Sequence, residues 1–415
     1  MINVELSNIW GCVSLPDLLG QEKAIYDAHL KLRNNQPDGP NFLGWLSQPD
    51  AVTVRTVRSI RAAADAIRSC ADTLIVIGNT SACRAAQAGL ALFSDQQENG
   101  PQVLFAGTDL SSKKHLELCE ALQGREYCLL LAFDGTWQME SSIASRSVRW
   151  LMERQYGQKA RSRIFVTAPN DSPMAAMAEE ESYTFLPLES GAASCSLNST
   201  LLLILNVCGI DPIGVLEGAA EAYESYDLRA FENPVWMYAG ARRALLQLGK
   251  HTELLGYTEP ALSAFGLWWQ QSVLQSCSRI QPVRCLLPQE LDRMQALIDG
   301  RLDGFATQLH LPPVCSQKVG VEMDWKDRDG LGYLDGKSVQ DVADALSQAL
   351  SQAHEISGAP QILLECDTLS PQSFGELLYF FDLANAVCAS AEPASAAETL
   401  SIRELLPQIL GTQNL

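Results

Sequence analysis

Residues 74–86 read LIVIGNTSACRAA. Four apolar residues in a row meet a glycine, then an amide and two hydroxyls, then an alanine-rich stretch. An apolar run without polar alternation suits a strand buried on both faces. Gly followed by Ser or Thr marks a tight turn into a helix N-terminus. Strand, glycine turn and helix together form the repeating unit of a parallel sheet, and the fold class depends on whether that unit recurs. Further short apolar runs follow at Val103–Gly107 (VLFAG), Cys128–Phe133 (CLLLAF), Arg163–Thr167 (RIFVT) and Phe185–Leu188. Stretches rich in Ala, Leu, Glu and Gln separate them. Continuous apolar strands alternating with helices predict a doubly wound parallel sheet covered on both faces.

The pattern returns later in the chain. A mostly helical passage from Ser196 to Gly249 is followed by candidate strands at His251–Tyr257, Phe305–His310 and Gln361–Glu365. Helices are expected between Val339 and Ala353 and from Ser373 to Ala389. The predicted fold class is α/β, with two doubly wound parallel-sheet units flanked by helices. The predicted division is an N-terminal helical segment at 1–50, with a helix over Leu18–Asn34, then a first α/β domain at 51–188. A second α/β domain at 189–415 carries the helical connection and C-terminal helices. Two units of similar make-up suggest a duplicated domain.

Bulk properties narrow the function classes. A chain of 415 residues has room for two cores. Its net charge of −19 opposes binding to phosphate backbones or anionic membrane surfaces, so neither nucleic acid nor membrane is an expected partner. The best candidate for a membrane span, Leu201–Val207 (LLLILNV), falls far short of the roughly 20 residues a spanning helix needs. The N-terminus MINVELSNIW has no basic region of the secretory kind. Twelve scattered cysteines without a C-x-x-C pair read as reduced thiols, and five separated histidines offer no zinc cluster. No metal or cofactor is expected, and a cytoplasmic location fits.

In open parallel sheets, small molecules bind beyond the carboxyl ends of the strands. Free N–H groups at helix starts suit phosphate. Two such turns stand out: Gly78-Asn79-Thr80-Ser81 after LIVI, and Asp134-Gly135-Thr136-Trp137-Gln138 after LLLAF. Each reads either as ordinary N-capping or as an anion cradle.

Motifs in one order along nearly the whole chain point further. They are Asn41-Phe42-Leu43-Gly44-Trp45, the LIVIGNTSACRAA stretch, Phe105–Ser112 (FAGTDLSS), Glu232-Asn233-Pro234, Tyr257–Leu262 (YTEPAL), Trp268-Trp269, Asp329–Leu334 (DGLGYL) and Tyr379-Phe380-Phe381. In order and spacing they resemble bacterial-type glucose-6-phosphate isomerases, which pair two sugar-isomerase (SIS) domains. The resemblance implies two SIS domains, a homodimer with sites completed across subunits, and interconversion of aldose and ketose phosphates. A Glu would move the proton, a His and a Lys would assist ring opening, an Arg would steady the enediolate, and hydroxyl-rich loops would hold phosphate.

The scaffold motifs match, while the reactive positions differ. After the paired Trp, the family's G-E-S-E-G-K becomes Leu274-Gln275-Ser276-Cys277-Ser278-Arg279, which puts Gln275 at the base. An amide cannot ionise to accept a C–H proton; loss of a positioned base costs about 10²- to 10⁴-fold in rate. Leu291 falls at the His position. Ser194, in Ala192-Ala193-Ser194-Cys195-Ser196, replaces the Arg. The Lys position falls near Arg403, after a shortened segment starting at Glu392-Pro393, and an Arg there is a poor acid catalyst. The phosphate loop keeps Gly135 and Thr136 but introduces Asp134. The first turn is about three residues shorter than the family's, though Thr80 and Ser81 could still donate hydrogen bonds.

Gly78, Asn79, Thr80, Ser81, Gly135, Thr136, Gln138, Gln275 and Arg279 are the expected ligand contacts. Arg279 reads either as a surface residue or as a phosphate anchor, and Trp268 and Trp269 as core or as a ligand wall. The expectation is a sugar-phosphate-binding or regulatory protein on an isomerase scaffold. The alternative is an active aldose–ketose isomerase using replaced groups, with Glu259 and Glu290 as spare carboxylates. Both Glu residues also read as a scaffold or helix-start acid. A structural partner of an active isomerase is a third reading.

Overall fold

The computed structural model describes residues 2–33, 54–97, 100–135, 138–188, 195–277, 279–391 and 409. Among them are ten strands: β1 (Ile2–Glu5), β2 (Thr73–Ile77), β3 (Gln102–Ala106), β4 (Tyr127–Ala132), β5 (Ile164–Pro169), β6 (Thr184–Leu188), β7 (Thr252–Tyr257), β8 (Gln281–Leu286), β9 (Gly304–His310) and β10 (Gln361–Cys366). They form two five-stranded sheets, ordered β3-β2-β4-β5-β6 and β1-β10-β9-β7-β8. The first sheet is wholly parallel. The second is parallel apart from β1, which pairs antiparallel with β10.

Read from the start of each unit, the two sheets share one plan. The second strand lies on one side of the first, and the later strands stack on the other. The fifth place is filled by β6 in the first sheet and by the N-terminal β1 in the second. The strand order therefore reverses between β2 and β4, and again between β7 and β9. Those reversals are where parallel sheets open a crevice for ligands.

Period-two alternation explains how each sheet is covered on both faces. In β2, Leu74 and Val76 join the large apolar core, whereas Ile75 and Ile77 join a second cluster on the opposite face. In β7, Leu255 belongs to the large core and Leu254 to a third cluster with Cys285, Met294 and Leu350. The large core is shared by both sheets and by the helices between them. The Ser199–Val207 helix lies within it, with all nine residues buried. Its apolar run is thus interior packing; among the described residues no helix is long and apolar enough to cross a membrane. The Pro371–Ser390 helix crosses Pro212–Ser225 at very short range. A Cβ at Gly218 would collide with the Gln372 carbonyl, and one at Gly375 with that of Val215.

Two strands differ from expectation. β1 lies in the N-terminal segment that the sequence predicts as helical, and that segment holds helices at Leu15–Leu19 and Glu22–Arg33. β8 was not anticipated. Both lie at sheet edges, where one face meets solvent and the apolar run is broken: β1 alternates buried and exposed, and β8 begins Gln-Pro.

Candidate functional site

The first glycine turn leaves β2 beside the strand-order reversal. Gly78 has φ +154°, and a Cβ there would run into the Ala132 carbonyl at the end of β4, so only glycine fits. Thr80 is the N-cap of the Ser81–Leu92 helix; its Oγ1 accepts from the Cys83 N–H at 3.2 Å. Asn79 Oδ1 accepts from Arg84 Nε at 3.1 Å. Thr80 and Ser81 are both buried. The second turn leaves β4 on the other side of the same reversal, with Gly135 at φ +108°. Gln138 there is the N-cap of the Met139–Tyr156 helix but makes no side-chain cap. Its Oε1 is buried without a hydrogen-bond partner among the described residues.

From the second unit, the Ser263–Ser276 helix packs against the first turn. Gln271 Nε2 reaches the Asn79 carbonyl at 3.5 Å. Trp268 and Trp269 are fully buried. Trp268 Nε1 donates to Ser196 Oγ at 2.8 Å and to Ser81 Oγ at 3.2 Å, and the two serine hydroxyls lie 2.9 Å apart. The tryptophan is core packing with one polar tip tied to the start of the first unit's helix. Gln275 lies four residues beyond Gln271, one turn on along the same face. It is exposed at the end of the helix.

Behind this face runs a polar network. Arg242 and Glu253, both with no exposed side chain, form an ion pair at 2.8 Å. Glu253 also accepts from Tyr238 and Thr307 at 2.6 and 2.7 Å. Burial works against the Arg242 charge, but Glu253, Tyr238 and two nearby thiols together outweigh it, so Arg242 stays protonated well above its ordinary range. Arg242 Nη1 donates to Asn385 Oδ1 at 2.7 Å, Asn385 Nδ2 to Ser272 Oγ at 2.9 Å, and Ser272 Oγ to Asp382 Oδ1 at 3.2 Å. Asp382 ends this line. Its Oδ2 is inaccessible to solvent, and no cation pairs with the carboxylate among the described residues. Burial pushes its carboxyl up to about 7, against the opposing pull of Ser196 and Ser272.

The other predicted residues are dispersed. Leu291 starts the Leu291–Ile298 helix and packs on the outer cluster of the second sheet, away from the core that holds Trp268. Glu290 closes a local loop: Oε2 accepts from the Leu286 N–H at 2.9 Å and Oε1 pairs with Arg293 at 3.1 Å. Glu259 caps the Pro260–Leu262 turn through the Ala261 N–H at 3.1 Å. Arg279 is exposed and has no ion pair among the described residues, while its carbonyl lies 3.3 Å from His251 Nδ1. Thr136, Ser194 and Arg403 lie outside the described residues. Among the described residues no group of three or more His, Cys, Asp or Glu could hold a metal ion.

Sequence reasoning overlooked Ser196, Gln271, Ser272, Asp382 and Asn385. One signal was available. Asp382 directly follows Tyr379-Phe380-Phe381 inside the apolar core of the helix PQSFGELLYFFDLANAVCAS, and an acid in such a run needs a reason.

No protein-family model matches the chain. A glucose-6-phosphate isomerase of Symbiobacterium thermophilum is 33% identical over 401 residues, covering 90% of this chain and 88% of that protein. Two solved structures share the fold. A hypothetical protein of Thermus thermophilus has a TM-score of 0.83 at 20% identity, covering 100% of this chain and 99% of that one. A glucose-6-phosphate isomerase of Chlamydia trachomatis has a TM-score of 0.73 at 16% identity, covering 96% of this chain and 85% of that one. With its two matched sheets, its paired turns and a relative this similar over nine-tenths of its length, the chain belongs to the glucose-6-phosphate isomerase family.

Proposed function

We propose that this family member binds a phosphorylated sugar between its two units without carrying out the family's proton-transfer isomerisation. The observation behind this reading is Gln275. An amide stands exposed at the end of the Ser263–Ser276 helix, where the resemblance implies a proton-moving Glu. The two carboxylates weighed as substitutes, Glu259 and Glu290, are each engaged in a local cap. The ligand class is inferred from the family and from the two glycine turns that flank the strand-order reversal. On the same footing, the protein works in the cytoplasm as a homodimer, which light scattering on the purified chain would check.

A coupled assay with glucose 6-phosphate and fructose 6-phosphate, run beside a thermal-shift titration of both sugars, tests the reading. The expected outcome is a concentration-dependent rise in melting temperature with turnover lower than an active family member's by at least about 10²-fold, the smallest cost of a lost base. Turnover at family level would overturn it in favour of an isomerase that works through replaced groups.

A further inference from the structure

Among the described residues, Asp382 is a carboxylate of the seam network with no cation paired to it. Several elements pack against it. Ser272 comes from the Ser263–Ser276 helix, Asn385 from one turn along its own helix, and Cys195 and Ser196 from the turn before Ser199–Val207. Ser81 stands one hydrogen bond behind Ser196, at the start of the helix after the first glycine turn. Cys195 is the titratable neighbour; burial and then the Asp382 charge raise its thiol well above the ordinary value, so it stays neutral. The cation reached through the network, Arg242, is already paired with Glu253.

Ionised Asp382 therefore places an uncompensated negative charge within two hydrogen bonds of the first turn. A phosphorylated sugar bound there would bring like charge to it. Protonated Asp382 removes that repulsion and turns a carboxyl oxygen into a donor. We propose that Asp382 sets the charge the cleft accepts, holding a proton while an anionic sugar is bound and losing affinity for it on ionisation. This rests on the sugar-phosphate reading above. By linkage, binding takes up a proton wherever the free site is ionised. The carboxyl's raised pKa, about 7, places the transition near neutrality.

The test is calorimetric titration of the full chain at about pH 6 and about pH 8.5, in buffer pairs of different ionisation enthalpy. The probes are glucose 6-phosphate and glucose 6-sulfate, the sulfate ester keeping its charge constant across that range. Wild type should lose at least about fivefold in affinity for the sulfate ester between the two pH values, the lower end of ordinary coupling. It should also take up a proton on binding at the higher pH. Asp382→Asn should bind the sulfate ester with the same affinity at both. The proton count on wild type needs no variant, so a misfolded substitution would not shelter the proposal. Binding with no proton uptake, or with equal pH dependence in both proteins, would overturn the role of Asp382 and leave the ligand reading standing. No binding of either probe would overturn the ligand reading and this proposal with it. Glucose 6-phosphate turnover that disappears in Asp382→Asn would overturn both by making Asp382 an acid–base catalyst.

Discussion

Arg242–Glu253 and Asp382 belong to one hydrogen-bond network, yet they are opposite kinds of charge: the pair is fully buried, whereas Asp382 is half-buried with its Oδ2 shielded from solvent. Glu253 is paired with Arg242 and accepts from two hydroxyls. Asp382 is held by the serines Ser272 and Ser196, with no cation paired to it among the described residues. A buried charge whose neighbours all answer it is architecture: it fixes how the Pro234–Gln247 helix meets β7 and β9. A charge left half-answered costs stability, and such groups concentrate at functional sites. The contrast separates what holds this molecule together from what it could use.

Breaking the paired centre should have the largest effect. Arg242→Met leaves Glu253 charged and buried, and should destabilise the fold by about 3–5 kcal/mol, read from denaturant midpoints at neutral pH. A loss under about 1 kcal/mol would mean the pair is not structural.

The unpaired centre should behave in the reverse sense and depend on pH. The carboxyl's folded pKa, about 7, lies above its ordinary 3.8. Between those values the folded state holds a proton that the unfolded state has lost, so wild-type stability falls as pH rises through that window. Above the folded pKa both states are ionised and the loss is complete. Asp382→Asn has no such group. Its stability relative to wild type should climb from about pH 4 to about pH 7, by roughly 1–3 kcal/mol, and then level off. A flat difference across that range would remove the raised carboxyl from the account.

The smallest effect on stability belongs to Arg279. It is exposed, with no ion pair among the described residues, so Arg279→Ala should change stability by no more than about 0.5 kcal/mol. If its guanidinium reaches the phosphate, sugar-phosphate affinity should fall while stability holds, and calorimetry separates the two.

The sheet interiors were legible in the chain because strands buried on both faces write continuous apolar runs, as LIVIG and CLLLAF do. The edge strands β1 and β8 were not, because half-exposed strands break that run with polar residues. The two glycine turns could be placed from sequence, since Gly78 is demanded by a backbone contact that no other residue permits. Asp382 escaped for a different reason. The carboxylates near Trp268 and Trp269 along the chain, Glu259 and Glu290, serve their own local turns. The acid that does meet the tryptophan's helix arrives from the far end of the chain, brought in by the close crossing at Gly218 and Gly375.

The most direct test of the central claim is proton NMR of glucose 6-phosphate in deuterated buffer with stoichiometric protein. Saturation transfer from protein to sugar reports binding, and the C2 proton reports chemistry, because isomerisation through an enediolate exchanges it for deuterium. Transfer to the sugar protons with the C2 signal intact over hours is the predicted result. Rapid loss of the C2 signal, with fructose 6-phosphate appearing, would contradict it.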